Sequence, residues 1–199
     1  MLAPIPLLWS AIFLAVLVWS GINPKDYPTW VLEVSPAVIG AAILLFTRRS
    51  FPLTSLLYGL ILLHCVVLMI GGHYTYAEVP FFENLLGFER NNYDKLGHFL
   101  QGFVPAIIAR EILLRLNVVD AANWRNFFIV SICLAFSAFY ELIEWLVATL
   151  SAEAAESFLG TQGYVWDTQA DMAFALVGAI AALLLLSGVH DRQLQQLPG

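Results

Sequence analysis

Long apolar segments constrain the fold of this chain more than any other feature of its sequence. An α-helix needs about 20 mostly apolar residues to cross a bilayer, and six segments approach or exceed that length. Their bounds lie near residues 5–22, 29–47, 54–72, 94–116, 124–150 and 168–188. Only 12% of the residues are charged, about half the fraction found in typical soluble domains. The sequence therefore predicts an all-α membrane protein, a bundle of six transmembrane helices that forms one domain over residues 1–199.

The distribution of basic residues predicts how this bundle lies in the membrane. Most arginines follow the second helix, surround the loop between the fourth and fifth helices, or occupy the C-terminal tail: Arg48, Arg49, Arg115, Arg125 and Arg192. Cytoplasmic loops of membrane proteins carry an excess of Lys and Arg, so both termini are expected in the cytoplasm. The net charge of −6 and the lack of a basic run argue against nucleic acid as a partner.

Three pairs of acidic or histidine residues lie one helical turn apart in or beside the apolar segments. They are Asp94 with His98, Glu141 with Glu144, and Asp167 with Asp171. Spacings of three or four residues place both members of a pair on one helix face. An ionised group within the membrane costs several kcal/mol or more and usually marks a functional site. The predicted topology brings all three pairs to the outer leaflet, so we expect one polar cluster there.

The first pair suggests a metal site. A carboxylate and an imidazole suit zinc, iron or manganese, whereas carboxylates alone suit magnesium or calcium. A purely structural alternative makes Asp94 a helix cap and His98 a hydrogen-bonded residue at the membrane interface.

Glu141 and Glu144 are the candidate catalytic residues. Two ionised glutamates one turn apart repel each other, so a cation, an arginine or a shared proton must compensate. The pair therefore predicts metal ligands or a carboxyl group suited to general acid–base chemistry. The alternative is a structural ion pair with Arg90 or Lys95.

Asp167 and Asp171 complete the predicted ligand set at the start of the sixth helix. Asp167 is equally well explained as the N-cap of that helix, whereas Asp171 lies one turn deeper. The preceding segment, residues 151–167, contains two glycines and is interpreted as a lid over the cluster.

The remaining polar residues of the apolar segments receive structural interpretations. Arg110, Glu111 and Arg115 are expected to form an ion network or to anchor the cytoplasmic end of the fourth helix, with Glu111 and Arg115 paired across one turn. His73 is a weaker ligand candidate, and His190 is assigned to the C-terminal tail.

Several longer motifs resemble a known family. These are Tyr93–Phe99 (YDKLGHF), Arg110-Glu111, Glu141–Trp145 (ELIEW) and Phe158–Met172 (FLGTQGYVWDTQADM). Together they resemble the YjdF-type family of bacterial inner-membrane proteins over roughly residues 5–190. The resemblance implies a small multi-pass protein of the bacterial inner (plasma) membrane. It implies neither an activity nor catalytic residues.

Three functions are compatible with the polar cluster. In the first, His98, Glu141, Glu144 and Asp171, with Asp94 and Asp167, hold one or two divalent metal ions that activate water for hydrolysis or group transfer on a lipid-linked or envelope substrate. In the second, the same carboxylates serve a cation- or proton-coupled transporter. In the third, the chain is a non-enzymatic membrane assembly or stress factor, and the cluster only holds the bundle together.

Overall fold

The computed structural model describes residues 7–76, 78–80, 82, 91–150 and 165–197. Within these residues the chain forms six α-helices and no strand. The helices are α1 (Leu7–Ser20), α2 (Tyr27–Thr47), α3 (Ser55–His73), α4 (Tyr93–Arg115), α5 (Ala122–Leu150) and α6 (Asp167–Leu194). The all-α prediction is therefore confirmed for the part of the chain that the structure describes.

Local sequence signals explain where α2 begins. Asp26 is the N-cap, and its carboxylate accepts a hydrogen bond from the Thr29 backbone N–H at 2.8 Å. Pro28 occupies the first turn, where the missing backbone N–H costs nothing. Asn23, in the turn before this helix, has a φ of 50°, a left-handed conformation that asparagine tolerates better than most residues.

Four of the six helices, α2, α3, α5 and α6, are long and apolar enough to cross a membrane. Helix α1 has 14 residues and spans only about 21 Å at 1.5 Å per residue. Helix α4 has 23 residues, but Asp94, Lys95, Arg110, Glu111 and Arg115 make it much less apolar. The structure thus supports four spans by length and composition, and the count of six remains a prediction.

The chain divides into two compact units, each built from three stretches. The first unit comprises Met1–Pro52, Ile61–Gly97 and Glu144–Gly163, and the second comprises Leu53–Leu60, His98–Ile143 and Tyr164–Gly199. Both units draw on distant parts of the sequence, unlike domains that follow one another along a chain. The assignment of residues 1–199 to one domain remains a prediction.

In the first unit, the ends of α1 and α3 are joined by hydrogen bonds. The Trp30 indole N–H donates to Ser20 Oγ at 3.1 Å, and His73 Nδ1 lies 2.9 Å from the Ser20 carbonyl oxygen. The Lys25 backbone N–H donates to the His73 carbonyl oxygen at 3.0 Å. His73, the weaker ligand candidate, thus has a structural role here, with its ring also 4.7 Å from that of Trp19.

The second unit has its own apolar core. Residues of α3, α4, α5 and α6 contribute to it, and all are almost completely shielded from solvent: Leu57, Ala106, Ile107, Ile129, Cys133, Ala179 and Ala182. Three alanines in this core leave room for helices to approach closely, as small residues do in membrane proteins. Helices α4 and α6, which carry the candidate residues His98 and Asp171, both contribute to this core.

Candidate functional site

Helices α4 and α6 approach each other closely near their N-terminal ends. A Cβ atom on Gly102 would overlap the Ala175 carbonyl oxygen, and one on Gly178 would overlap the Phe99 carbonyl oxygen. Only glycine permits such contact between helix backbones. Gly102 follows His98 by one turn, and Ala175 follows Asp171 by one turn. The crossing therefore places the His98 and Asp171 faces beside each other.

His98 and Asp171 form the candidate metal centre, within the second unit. Each offers one ligand atom, and these two atoms lie within 4.8 Å of each other. Both residues are buried, with 5% and 1% exposure. Asp94 is half-buried and precedes His98 by one turn of the same helix, so the geometry of α4 places it on the same helix face as His98. These are three of the six predicted ligands.

Glu141 lies beside this group. Its Oε1 is 3.7 Å from His98 Nε2, and both side chains are buried. The structure thus places an acidic residue of α5 next to the histidine of α4, as the predicted cluster requires. Gln101, which the sequence analysis did not single out, lies on the other side of the imidazole, with Oε1 3.0 Å from His98 Nδ1. Its spacing of three residues from His98 is the signal that could have identified it.

The other predicted ligands are buried but lie outside the group of three. Glu144 is one turn beyond Glu141 on α5, and Asp167 is the first residue of α6. Trp166 is the N-cap of α6 and makes no side-chain capping hydrogen bond, so the alternative interpretation of Asp167 as the N-cap is wrong. Asp94 lies in the first turn of α4, where the positive end of the helix dipole favours its charge. A dipole interaction and a ligand role are compatible at that position.

Two elements predicted around the cluster lie largely outside the described residues. The lid covers residues 151–167, of which only 165–167 are described. Arg90, one of the two basic residues considered as partners for the glutamates, also lies outside them.

A second buried polar cluster, which we call the Glu111 network, joins α3, α4 and α6 within the second unit. The Glu111 carboxylate is completely buried and accepts hydrogen bonds from Thr54 Oγ1 at 2.8 Å and Arg115 Nη1 at 3.0 Å. His190 Nε2 lies 2.9 Å from Glu111 Oε2, and His190 Nδ1 lies 2.9 Å from Arg110 Nη1. The predicted ion pair between Glu111 and Arg115 is confirmed, whereas the assignment of His190 to the tail is wrong.

The Glu111 network also supplies hydrogen-bond acceptors to the start of α3. The first N–H groups of any helix lack partners within the helix. Here the Thr54 N–H donates to Glu111 Oε1 at 3.2 Å, and the Leu56 N–H donates to Gln193 Oε1 at 2.8 Å. A negative charge at this end also interacts favourably with the helix dipole. The network is therefore a cap for α3 that is assembled from α4 and α6.

Two ion pairs lie beside His190 among the described residues. Arg110 Nη2 pairs with the half-exposed Asp191 at 2.8 Å, and Arg115 pairs with Glu111. A guanidinium group can only donate hydrogen bonds. His190 Nδ1 must therefore accept from Arg110, and Nε2 carries the proton that it donates to Glu111.

Comparison with known proteins identifies the family of this chain. The family model described as "Predicted membrane protein (DUF2238)" matches residues 5–192. The chain belongs to this family. It is also 49% identical to the Inner membrane protein YjdF of Escherichia coli (strain K12), over 199 residues that cover 98% of this chain and 95% of that protein. No solved structure matches the chain.

These findings confirm the resemblance to YjdF-type proteins that the sequence motifs indicated. Membership in a family of membrane proteins also agrees with the four long apolar helices. The match includes the candidate metal centre and every residue of the Glu111 network except Gln193, which lies just after its last matched residue.

Proposed function

We propose that this chain is a multi-pass inner-membrane protein that binds a divalent cation through His98 and Asp171, with Asp94, one turn before His98 on α4, as a third ligand. The single observation that carries the proposal is that His98 and Asp171, both in the second unit, offer ligand atoms within 4.8 Å of each other. One imidazole nitrogen and two carboxylate oxygens suit a borderline cation such as zinc, iron or manganese. Bringing two carboxylates together away from water is unfavourable unless a positive charge compensates.

In this proposal the bound cation supports hydrolysis or group transfer on a lipid-linked or envelope substrate. A divalent cation held there would lower the pKa of a water molecule and would polarise the carbonyl or phosphoryl group of the substrate that the water attacks. Glu141, beside His98, would take the proton of that water as a general base. Glu144 and Asp167 would complete the acidic surroundings of the site or hold a second cation.

The proposal also includes the placement of the helices in the membrane. Helices α1 and α4 would join the four longer spans, to give six crossings with both termini in the cytoplasm. The first turns of α4 and α6 would then face the outer leaflet, where lipid-linked substrates of the cell envelope are accessible. The charges in the second half of α4 would be tolerated because Arg110, Glu111 and Arg115 contact other protein groups.

One observation favours a second candidate function. His98 Nε2 and Glu141 Oε1 are 3.7 Å apart and both side chains are buried, so a small approach of the two groups would let them exchange a proton. Proton sharing of this kind is used by cation- or proton-coupled transporters. In such a transporter, Glu141→Gln would abolish flux into proteoliposomes. In a hydrolase it would abolish turnover of the lipid substrate.

The experiment that tests the proposal combines cation binding with turnover. Detergent-purified protein is stripped of metal with a chelator and titrated calorimetrically with zinc, manganese and magnesium. It is then incubated with an inner-membrane lipid extract, and the products are followed by mass spectrometry. We expect near-stoichiometric binding that His98→Gln removes and Asp120→Asn, a change at an exposed loop carboxylate, leaves intact. Cation-dependent products that disappear in Glu141→Gln would support the enzyme. Absence of binding by every cation would contradict the site.

A further inference from the structure

The two buried histidines of α4 and α6 have hydrogen-bond partners that assign opposite tautomers to them. His190 Nδ1 faces Arg110 Nη1 at 2.9 Å, and a guanidinium only donates, so His190 carries its proton on Nε2. His98 Nδ1 faces Gln101 Oε1 at 3.0 Å, and an amide oxygen only accepts, so His98 carries its proton on Nδ1.

The His98 tautomer leaves the Nε2 lone pair directed toward Glu141. Glu141 Oε1 lies 3.7 Å from Nε2, farther than a hydrogen bond between them would allow. A lone pair and a carboxylate oxygen at that separation both favour a positive charge beside them. The same imidazole has a ligand atom of Asp171 within 4.8 Å. The orientation set by Gln101 therefore determines whether Nε2 is a ligand or a proton donor.

We propose that Gln101 is the positioning residue of the candidate cation site: it fixes His98 as the Nδ1–H tautomer and so presents Nε2 to a divalent cation. This inference rests on the proposed function. Metal-binding histidines generally donate their second ring N–H to an oxygen, and loss of that partner lowers metal affinity about 10–100-fold. Gln101 is three residues from His98 on one helix, so the contact depends only on α4.

Two substitutions separate the acceptor role of Gln101 from a packing role. Gln101→Glu keeps the length of the side chain and can only accept, so it retains the Nδ1–H tautomer. Gln101→Met keeps a similar volume but removes the acceptor, so the imidazole is free to take either tautomer. We expect the affinity for zinc or manganese to fall about 10–100-fold in Gln101→Met and to be maintained in Gln101→Glu.

Nitrogen-15 NMR of histidine-labelled protein in micelles reads the tautomers without any metal. Signals are assigned by their loss in His98→Gln and His190→Gln. His190 serves as an internal reference, because its Nε2–H tautomer depends on Arg110 and is independent of the cation site. The expected spectrum has His98 as Nδ1–H in the wild type and in Gln101→Glu, and as a mixture in Gln101→Met.

The outcomes distinguish this inference from the proposed function. In one outcome, His98 is the Nδ1–H tautomer, this tautomer changes in Gln101→Met, and the protein binds no cation. That outcome would support the positioning role of Gln101 and refute the cation site. An Nε2–H tautomer for His98 in the wild type would overturn the inference, because Gln101 would then donate its amide N–H. Unchanged tautomer and affinity in Gln101→Met would also overturn it, whether or not a cation binds.

Discussion

The Glu111 network is expected to contribute strongly to the stability of the second unit. Replacing Glu111 with alanine removes the acceptor that serves Thr54, Arg115 and His190 at once. All of these contacts meet one carboxylate that has no exposed surface. The substitution would leave buried donors at the start of α3 without an acceptor, and Arg115 without its paired charge.

The magnitude follows from the number and kind of bonds that are lost. A hydrogen bond to a charged group contributes about 1.5–3 kcal/mol, but bonds that share one carboxylate do not add independently. Removing one partner of a buried ion pair costs about 3–5 kcal/mol. We therefore expect Glu111→Ala to lower the free energy of unfolding by about 3–5 kcal/mol, a large part of the roughly 5–15 kcal/mol of an ordinary protein.

Glu111→Gln tests the reasoning more finely. If the amide oxygen occupies the place of Oε2, it accepts from Thr54 Oγ1 and His190 Nε2, and the amide NH₂ faces the donors of Arg115 and of the Thr54 backbone. If it occupies the place of Oε1, it accepts from Arg115, and the NH₂ faces the Nε2–H of His190. His190 cannot reverse its tautomer, because Nδ1 accepts from Arg110. One unsatisfied buried donor costs about 1–3 kcal/mol, so the glutamine variant should lie between the wild type and the alanine variant.

Unfolding in detergent micelles, followed by tryptophan fluorescence, measures these differences, since the chain contains six tryptophans. Asp120→Asn, at an exposed position between α4 and α5, is the control and should leave the unfolding midpoint unchanged. A Glu111→Ala variant as stable as this control would refute the view that the network stabilises the second unit. Equal losses in the glutamine and alanine variants would refute the view that one remaining acceptor preserves part of the network.

Two further predictions concern the helix crossing and an exposed ion pair. Gly178→Ala should destabilise the protein and weaken cation binding, because the added Cβ would overlap the backbone of α4. Gly188→Ala on the same helix meets open space and should stabilise the protein by up to about 1 kcal/mol. Thermal midpoints and zinc titrations of both variants check these expectations, and similar midpoints would contradict them. Lys25 donates to Glu78 at 2.7 Å, and this hydrogen bond raises the pKa of Lys25 above its usual value. The stabilising contribution of this pair should be complete below a pH of about 10.4 and should be lost as the pH rises through the raised pKa. The difference in thermal midpoint between the wild type and Lys25→Gln should therefore shrink in strong alkali. A difference that grows there would contradict the expected direction of the pH dependence.

Helix positions were largely predictable from the sequence because apolar runs and helix breakers act locally. The predicted bounds agree with the structure to within two residues, except at the end of α6, which continues to Leu194 instead of ending near residue 188. The polar residues at that end resemble a solvated tail. His190 is nevertheless fully buried, because its partners are contributed by α4, 79 and 80 residues earlier. Contacts so distant in sequence leave no periodic signal.

The candidate site was predictable where its residues share a helix face. Helical spacing linked Asp94 with His98, and placed Asp171 one turn into α6. Spacing alone does not show which acidic residues meet across helices, so the predicted set of six ligands was larger than the pair of His98 and Asp171 that the structure brings together in the second unit. The close approach at Gly102 and Gly178 supplies the missing information, because it fixes how α4 and α6 cross.

The metal content of the purified protein tests whether His98 and Asp171 bind a cation. Protein purified in detergent without added metal is analysed by elemental mass spectrometry, beside a His98→Gln/Asp171→Asn double variant whose folding is verified by its thermal midpoint. We expect close to one zinc, iron or manganese ion per chain in the wild type and none in the folded double variant. No metal in the wild type, even after incubation with each cation, or equal metal in both proteins, would contradict a cation site at His98 and Asp171.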